Sequence, residues 1–438
     1  MSPMSPARPL PGLRAPARGD DRRCRAEQFT PPRRPVAGHW LTGALPLLLA
    51  ACGAAAEANG AATTVPSADV SAWRVPGTAQ EGCFSNDARI DCPAAGASFF
   101  GQDGQRPGPR QSFQARSDGT VSDPVTGLTW TRALAGPLSW DEAQAAAAAL
   151  RTGGHTDWRV PTIKELYTLI DFRGWFAPTA AQSRPCIDTT TFEFAYGEGP
   201  RFFDVQLWSS TAYVATTMNN DATIFGVNFA DGRIKGYPRY QPGSRGAVPQ
   251  LMRVRFVRGP AYGTNEYRDN GDGTVTDRGS GLIWQQRDDG RTRNWRDALA
   301  YCTALRLAGQ ADWRLPDAKE LHSIVDYTRA PAVTQGAALA PPLQASTAES
   351  YFWTSTTVFD GPPDVMYTRA VYFAFGRALG WMEMPPGSGA RTLIDVHGAG
   401  SQRADPKDGD PARYPQGFGP QGDDVRILNV VRCVRGRR

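Results

Sequence analysis

Five short blocks of sequence occur twice in this chain in the same order, and that duplication limits the fold more than any other feature. DGTVSDPVTGLTW at 118–130 returns as DGTVTDRGSGLIW at 272–284, and SWDEA at 139–143 returns as NWRDA at 294–298. DWRVPTIKEL at 157–166 matches DWRLPDAKEL at 312–321, and WSST at 208–211 matches WTST at 353–356. VRFVRG at 254–259 matches VRCVRG at 431–436 near the end. Each copy runs to roughly 150–170 residues, too long for a solenoid unit and long enough to bury a core of its own. The chain therefore divides into copy 1 at 113–260 and copy 2 at 266–438, preceded by a leader at 1–51, a tether at 52–74 and a small preface at 75–112.

Within a copy, DGTVxD followed by Gly-Leu-x-Trp predicts a turn feeding a short strand. Ser139 with Glu142 is a capping box that opens a helix ending near Leu150, with Trp140, Ala143, Ala147 and Leu150 on one face. Asn294 is the corresponding cap in copy 2, with Trp295, Leu299 and Cys302 as the stripe. A second helix is expected after Pro161 and Pro316, where Thr162 with Glu165 and Asp317 with Glu320 repeat the capping box. The remainder reads as strands separated by long Gly/Pro loops, notably 236–250 and 383–424. Strand, two helices, then a strand-and-loop half make an α+β order: two helices packed on a short antiparallel sheet in each copy.

The net charge of +5 is confined to the leader, where eight arginines face Asp20, Asp21 and Glu27. From residue 52 onward basic and acidic residues number forty each, so the body has no general electrostatic reason to bind a polyanion and no nucleic-acid partner is expected. Arg33 and Arg34 precede a short apolar run from Trp40 to Ala51, and twelve helical residues rise only about 18 Å, short of a roughly 30 Å hydrocarbon layer. The run reads as a secretion signal. It ends Leu49-Ala50-Ala51-Cys52, which resembles a bacterial lipobox with Cys52 as the lipidated residue; the alternative is an ordinary signal peptide with Cys52 incidental. Gly53 follows where Asp would favour inner-membrane retention, so resemblance to lipoprotein sorting rules implies the outer membrane or cell surface, with the membrane as partner through the anchor.

Cys302 and Cys433 both belong to copy 2, and their counterparts Ala147 and Phe256 lack sulfur together. Joint loss is what a bonded pair shows, and an exported chain favours the bond over two buried thiols. Cys83 and Cys92 would close a small loop in the preface, and Cys186 is left over, either buried or reactive.

The ordered set Asp-Gly-Thr-Val-x-Asp, Gly-Leu-x-Trp, Asp-Trp-Arg-Leu/Val-Pro-x-x-x-Glu-Leu, Trp-Ser-Ser-Thr and Val-Arg-x-Val-Arg-Gly resembles the Lcl C-terminal domain family. The segment from Val75 to Asp103 also resembles the preface that often precedes such domains. The resemblance implies two tandem C-type-lectin-like domains, related in fold to the sulfatase-modifying enzymes whose Arg-Leu-Pro-Thr-x-x-Glu motif is echoed at Arg159–Glu165 and Arg314–Glu320. The name-giving adhesin binds sulfated glycosaminoglycans but carries a collagen-like stalk that this chain lacks, and fold analogy alone does not carry function.

No catalytic constellation stands out. His155, His322 and His397 lie in the body at unrelated positions of the two copies and at no metal-ligand spacing, so neither zinc nor any cofactor is expected. Asp269-Asn270-Gly271-Asp272-Gly273 with Asp277 has the flavour of a calcium loop, but Arg268 stands where an acidic ligand belongs, and a tight turn is the better reading. Trp158 and Trp313 read as core, with Arg159 and Arg314 tying helix to loop. Aromatic faces stack on sugar rings, which makes Tyr237, Arg239 and Tyr240 in copy 1, and Trp381 with Tyr414 in copy 2, the candidate ligand contacts. The function expected is a surface lipoprotein that binds a glycan or another envelope protein. The alternatives are a structural envelope protein and a degenerate enzyme of the sulfatase-modifier type.

Overall fold

The computed structural model describes residues 73–244 and 246–436. The leader, the lipobox with Cys52 and the tether up to residue 72 lie outside the described residues.

The helices form where the caps predict them. Helix α1 (Trp140–Ala149) starts with Ser139 and Glu142 in a reciprocal capping box, and α2 (Ile163–Tyr167) starts the same way with Thr162 and Glu165. In copy 2, α3 (Trp295–Ala304) is capped by Asn294, and α4 (Ala318–Ser323) by Asp317 with Glu320. Helices α2 and α4 are short, five and six residues, so tertiary packing rather than propensity holds them. One further helix, α5 (Pro331–Thr334), follows in copy 2.

The sheet is larger than the sequence suggests. Nine strands form one sheet across both copies, numbered along the chain as β1 (Ala135–Leu138), β2 (Trp175–Phe176), β3 (Gln206–Thr217), β4 (Asp221–Asn228), β5 (Arg233–Pro238), β6 (Met252–Val254), β7 (Tyr351–Asp360), β8 (Arg369–Ala374) and β9 (Gln402–Pro406). Their order is β1-β6-β3-β4-β5-β9-β8-β7-β2. The meander β3-β4-β5 of copy 1 therefore meets its counterpart β7-β8-β9 of copy 2 edge to edge, with Ile234 opposite Gln402. A four-stranded sheet in each copy completes the layers, joining the DGTV turn to the closing Val-Arg strand. The expectation of a short sheet in each copy is thus corrected, and so is the reading of 383–424 as loop. That stretch contains β9 and the strand Arg391–Asp395, the second arm of a hairpin with Leu379–Glu383.

The copies are related by an approximate two-fold axis. Tyr167 of α2 and His322 of α4 occupy the same motif position, and their rings touch each other with centroids 4.4 Å apart. Two lysines from the repeated Lys-Glu-Leu triplet cross that axis in opposite directions. Lys164 Nζ donates to Ser323 O of copy 2 at 2.8 Å, and also to Gly263 O and Asn265 Oδ1. Lys319 Nζ donates to Thr168 O of copy 1 at 2.8 Å, and also to Gly77 O and Gln111 Oε1. Each ammonium thus reaches a carbonyl at the C-terminal end of the other copy's second helix, where a cation is favoured. The copies also exchange segments: β2 of copy 1 runs parallel to the end of β7, pairing Trp175 with Phe359, while α5 of copy 2 packs on β3.

Each copy keeps a small core of its own, around Trp158, Trp208 and Val254 in copy 1 and around Trp313, Trp353 and Val431 in copy 2. A larger third core is common to both, with Leu166, Tyr167, Phe225, Leu321, Phe352 and Phe373 among its members. The described residues accordingly belong to one compact unit.

Burial pulls both clasp lysines down to about 8, with only distant carboxylates opposing it. The folded chain gives up these protons before the unfolded chain does, since the ordinary lysine value is 10.5. Between pH about 8 and 10.5 the unfolded state therefore binds more protons, and stability rises with pH. From pH 7.5 to 9.5 the unfolding free energy from urea titration should rise by about 1–2 kcal/mol per lysine, and Lys164→Met with Lys319→Met should remove that share of the rise. A midpoint that falls over this range would refute the buried clasp.

Candidate functional site

The repeated blocks are spent on one another. The Arg159 guanidinium binds Glu165 through two bonds of 2.5 and 2.7 Å, and Arg314 binds Glu320 likewise at 2.5 and 2.6 Å. The same carboxylates close the capping boxes, so one acidic group fixes both a helix start and the segment before it. Arg258 of the closing block reaches Asp157 of the Asp-Trp-Arg block at 2.7 Å, and Arg435 reaches Asp312 at 2.7 Å. Arg255 and Arg432 are buried and donate to main-chain carbonyls, Arg255 to Thr131, Arg132 and Glu193, Arg432 to Gln285, Gln286 and Gln344. The tryptophans do the same with their ring N–H: Trp140 to Ser209 O, Trp208 to Leu138 O, Trp295 to Thr354 O and Trp353 to Arg293 O. The most recurrent polar residues are therefore structural.

The calcium-like loop is a turn. Asp272 accepts from Thr274 N and Oγ1, and Asp277 accepts from Glu266 N, Gly279 N, Ser280 Oγ and Asn265 Nδ2. Asp118 and Asp123 repeat the pattern in copy 1. Among the described residues no three His, Cys, Asp or Glu side chains are grouped to hold a metal ion. His322 is buried against Tyr327 Oη at 2.8 Å and His397 against Asp423 at 2.8 Å, and desolvation holds both imidazoles well below their ordinary value.

Cys302 and Cys433 are joined, with Cα atoms 5.5 Å apart, and so are Cys83 and Cys92 at 5.0 Å. Cys186 is buried and unbonded, packed against Gly174 and Gly232 so closely that an added Cβ on Gly174 would lie 2.4 Å from its Sγ. Burial raises its thiol far above the ordinary range, which makes it an inert core residue.

Tyr237 lies within β5, packed on the copy 1 core with its hydroxyl buried, not in a loop. Arg239 stacks over Trp140 at 4.9 Å and over Tyr240 at 5.6 Å, and pairs with Asp141 at 2.6 Å. Trp381 sits in the copy 2 hairpin, and Tyr414 follows a short turn and meets Phe418 edge-on at 6.3 Å. All five candidate ligand contacts are half-buried.

A cleft lies elsewhere, where the preface meets copy 1. Its volume of about 680 Å³ falls in the range of ordinary ligand clefts. One wall is preface, from Gly77 to Gly82 and from Gly104 to Phe113; the other is the stretch after α2, at 169–173 and 184–190. Two preface segments come together because Gly104 has no side chain: an added Cβ would lie 2.0 Å from Gly82 O. Arg110, Arg173 and Arg184 line the cleft against Glu81, Asp171 and Asp188, so its formal charges cancel. Arg173 is tied to Asp171 at 2.7 Å, and Arg184 stands 4.0 Å from the same carboxylate with most of its side chain in solvent. Against the cost of burial, bonds from Thr190 and Thr191 hold the Asp188 carboxyl below its ordinary value. Sequence reasoning missed this cleft because none of its residues belongs to a repeated block; the only signal was the glycine spacing of the preface.

No curated protein and no solved structure matches the chain. The profile of the Lcl C-terminal domain matches at residues 119–249 and again at 273–385, together more than half of the 438 residues. Both matches cover the DGTV turn, the two capped helices and the Trp-Ser/Thr-Ser-Thr strand described above. The chain belongs to the Lcl C-terminal domain family and carries that domain twice.

Proposed function

We propose that this protein is an exported, lipid-anchored component of the bacterial cell envelope that binds a glycan through a lectin-type body. The observation that carries the reading is the cleft between preface and copy 1, with three arginines and three carboxylates around about 680 Å³. Paired guanidinium and carboxylate groups suit hydroxyl-rich ligands, because each sugar hydroxyl both donates and accepts. Their cancelling charges suit a neutral or zwitterionic saccharide better than a polysulfated one. The two disulfides support export, since such bonds persist in oxidising compartments. The reading is of a binder rather than an enzyme because the recurrent arginines and carboxylates, and the tryptophans named above, are engaged in internal bonds.

A glycan array probed with the full chain tests this. Binding to neutral or zwitterionic glycans is expected, without preference for sulfated ones, and Arg184→Glu with Arg110→Glu should weaken it at least tenfold. Absence of binding to every glycan on the array would remove the claim. The anchor is tested separately: Cys52→Ser should abolish labelling by radioactive fatty acid and release the protein from the membrane fraction. Continued labelling would show that Cys52 is not the acylated residue.

A further inference from the structure

The preface covers a surface on copy 2 that copy 1 also possesses and that, among the described residues, nothing covers there. On copy 2 the Gln80 amide pairs with the main chain of Thr357, donating to its O at 2.6 Å and accepting from its N at 2.9 Å. The neighbouring Thr356 hydroxyl donates to Asp103 Oδ2 at 2.6 Å. The Phe84 ring packs on Phe359 with centroids 5.3 Å apart. Lys407 Nζ, stacked over Trp295 at 4.2 Å, donates to Ser85 O at 2.8 Å.

The duplication maps each of these acceptor positions onto copy 1. Thr356 corresponds to Thr211, Thr357 to Ala212 and Phe359 to Val214 through the Trp-Ser/Thr-Ser-Thr block, and Trp295 corresponds to Trp140. Lys407 corresponds to Arg239, because each follows the proline that ends the third strand of its meander, Pro406 paired with Arg369 and Pro238 with Thr223. The local architecture is kept: Ile163 N donates to Thr211 Oγ1 as Ala318 N does to Thr356 Oγ1, both at 3.0 Å. Arg239 lies over Trp140 as Lys407 lies over Trp295. Coverage differs. Thr357 and Trp295 are 0% exposed, whereas Ala212 is exposed, Trp140 is half-buried and Val214 is 40% exposed.

We infer that the Trp140–Thr211–Ala212–Val214–Arg239 face of copy 1 is a protein-docking surface, and that its occupant is a preface-type segment of a second envelope protein. The occupant's chemistry follows from the segment seated on copy 2. It is extended and glycine-rich, closed by a small disulfide loop, and presents a side-chain amide or carboxylate at Thr211–Ala212, an apolar ring at Val214 and a main-chain carbonyl at Arg239. The chain's own preface cannot serve, because it is already held on copy 2. A strand face that takes Gln80 through main-chain groups selects a polypeptide over a sugar. The inference does not depend on the glycan cleft, which uses none of these five residues.

The test titrates a synthetic preface, residues 75–112 with Cys83 and Cys92 joined, into the full chain. One segment should bind per chain in the micromolar range. Ala212→Arg, at an exposed position that leaves the core untouched, should weaken binding at least tenfold. Ala212→Thr with Val214→Phe, which restores the copy 2 residues, should strengthen it at least fivefold. Absence of binding to the native chain overturns the inference, even if the restored variant binds. Binding unchanged by Ala212→Arg also overturns it, since the segment would then be exchanging at copy 2.

Discussion

Glu320→Gln is expected to lower the unfolding free energy by about 3–5 kcal/mol, while Glu165→Gln, the same change at the same motif position, should cost only about 1–2 kcal/mol. The difference lies in the partner arginine. Both carboxylates are buried, but the Arg314 side chain is 5% exposed and that of Arg159 is 36% exposed. Removing the charge at 320 leaves a guanidinium enclosed by protein with no water to turn to. At 165 the guanidinium can swing outward and recover hydration. Glutamine retains an acceptor for the cap nitrogen in both cases, so the comparison isolates the ion pair from the helix start. Urea unfolding of the two variants side by side measures it; equal losses would mean that burial of the arginine does not set the energy.

The second large effect belongs to the staple between α3 and the final strand. Cys302 and Cys433 enclose 131 residues, and on the chain-entropy model their bond contributes up to about 5 kcal/mol. Cys302→Ala with Cys433→Val should therefore lower stability by about 2–5 kcal/mol, and reductant should lower the native chain to a similar level. Copy 1 manages without sulfur because Ala147 and Phe256 fill the same place, with the phenyl ring packed among Trp158, Val160 and Trp208. Reductant should affect the double variant less than the native chain, because only Cys83–Cys92 remains to be reduced. A variant as stable as the native chain would mean that packing alone holds α3 to the closing strand.

Much of each copy was legible before any coordinates. Side chains at fixed offsets do local work that sequence exposes directly: Ser139 with Glu142 and Asp317 with Glu320 mark helix starts, and the missing pair Ala147 and Phe256 betrayed the bond between Cys302 and Cys433. The union of the copies was not legible. It runs through β9, Gln402–Pro406, whose residues alternate no apolar side chains and whose flanks are rich in glycine and proline. Gln402 and Asp405 are buried there with the strand, against the usual expectation for a polar pentapeptide. The clasp lysines were visible as a repeat, but a lysine beside glutamate in a helix reads as solvent-facing. Of the ligand contacts suggested by aromatic content, Tyr237 is half-buried against the copy 1 core, and only Arg239, beside Trp140, falls on a surface to which a role is assigned. The cleft is built from glycines and charges that recur nowhere else, so no pattern pointed to it.

The reciprocal lysines and the touching Tyr167 and His322 rings bear on any protein with a single copy of this unit. Alone, it would hold an ammonium without the carbonyl that the other copy supplies, a bare ring where the axis passes and a sheet cut open at the edge of its meander. Only a self-complementary patch on an identical molecule answers all three needs at once. A one-repeat relative is thus expected to exist in solution as an isologous homodimer, and the present chain is that dimer made permanent by a peptide link.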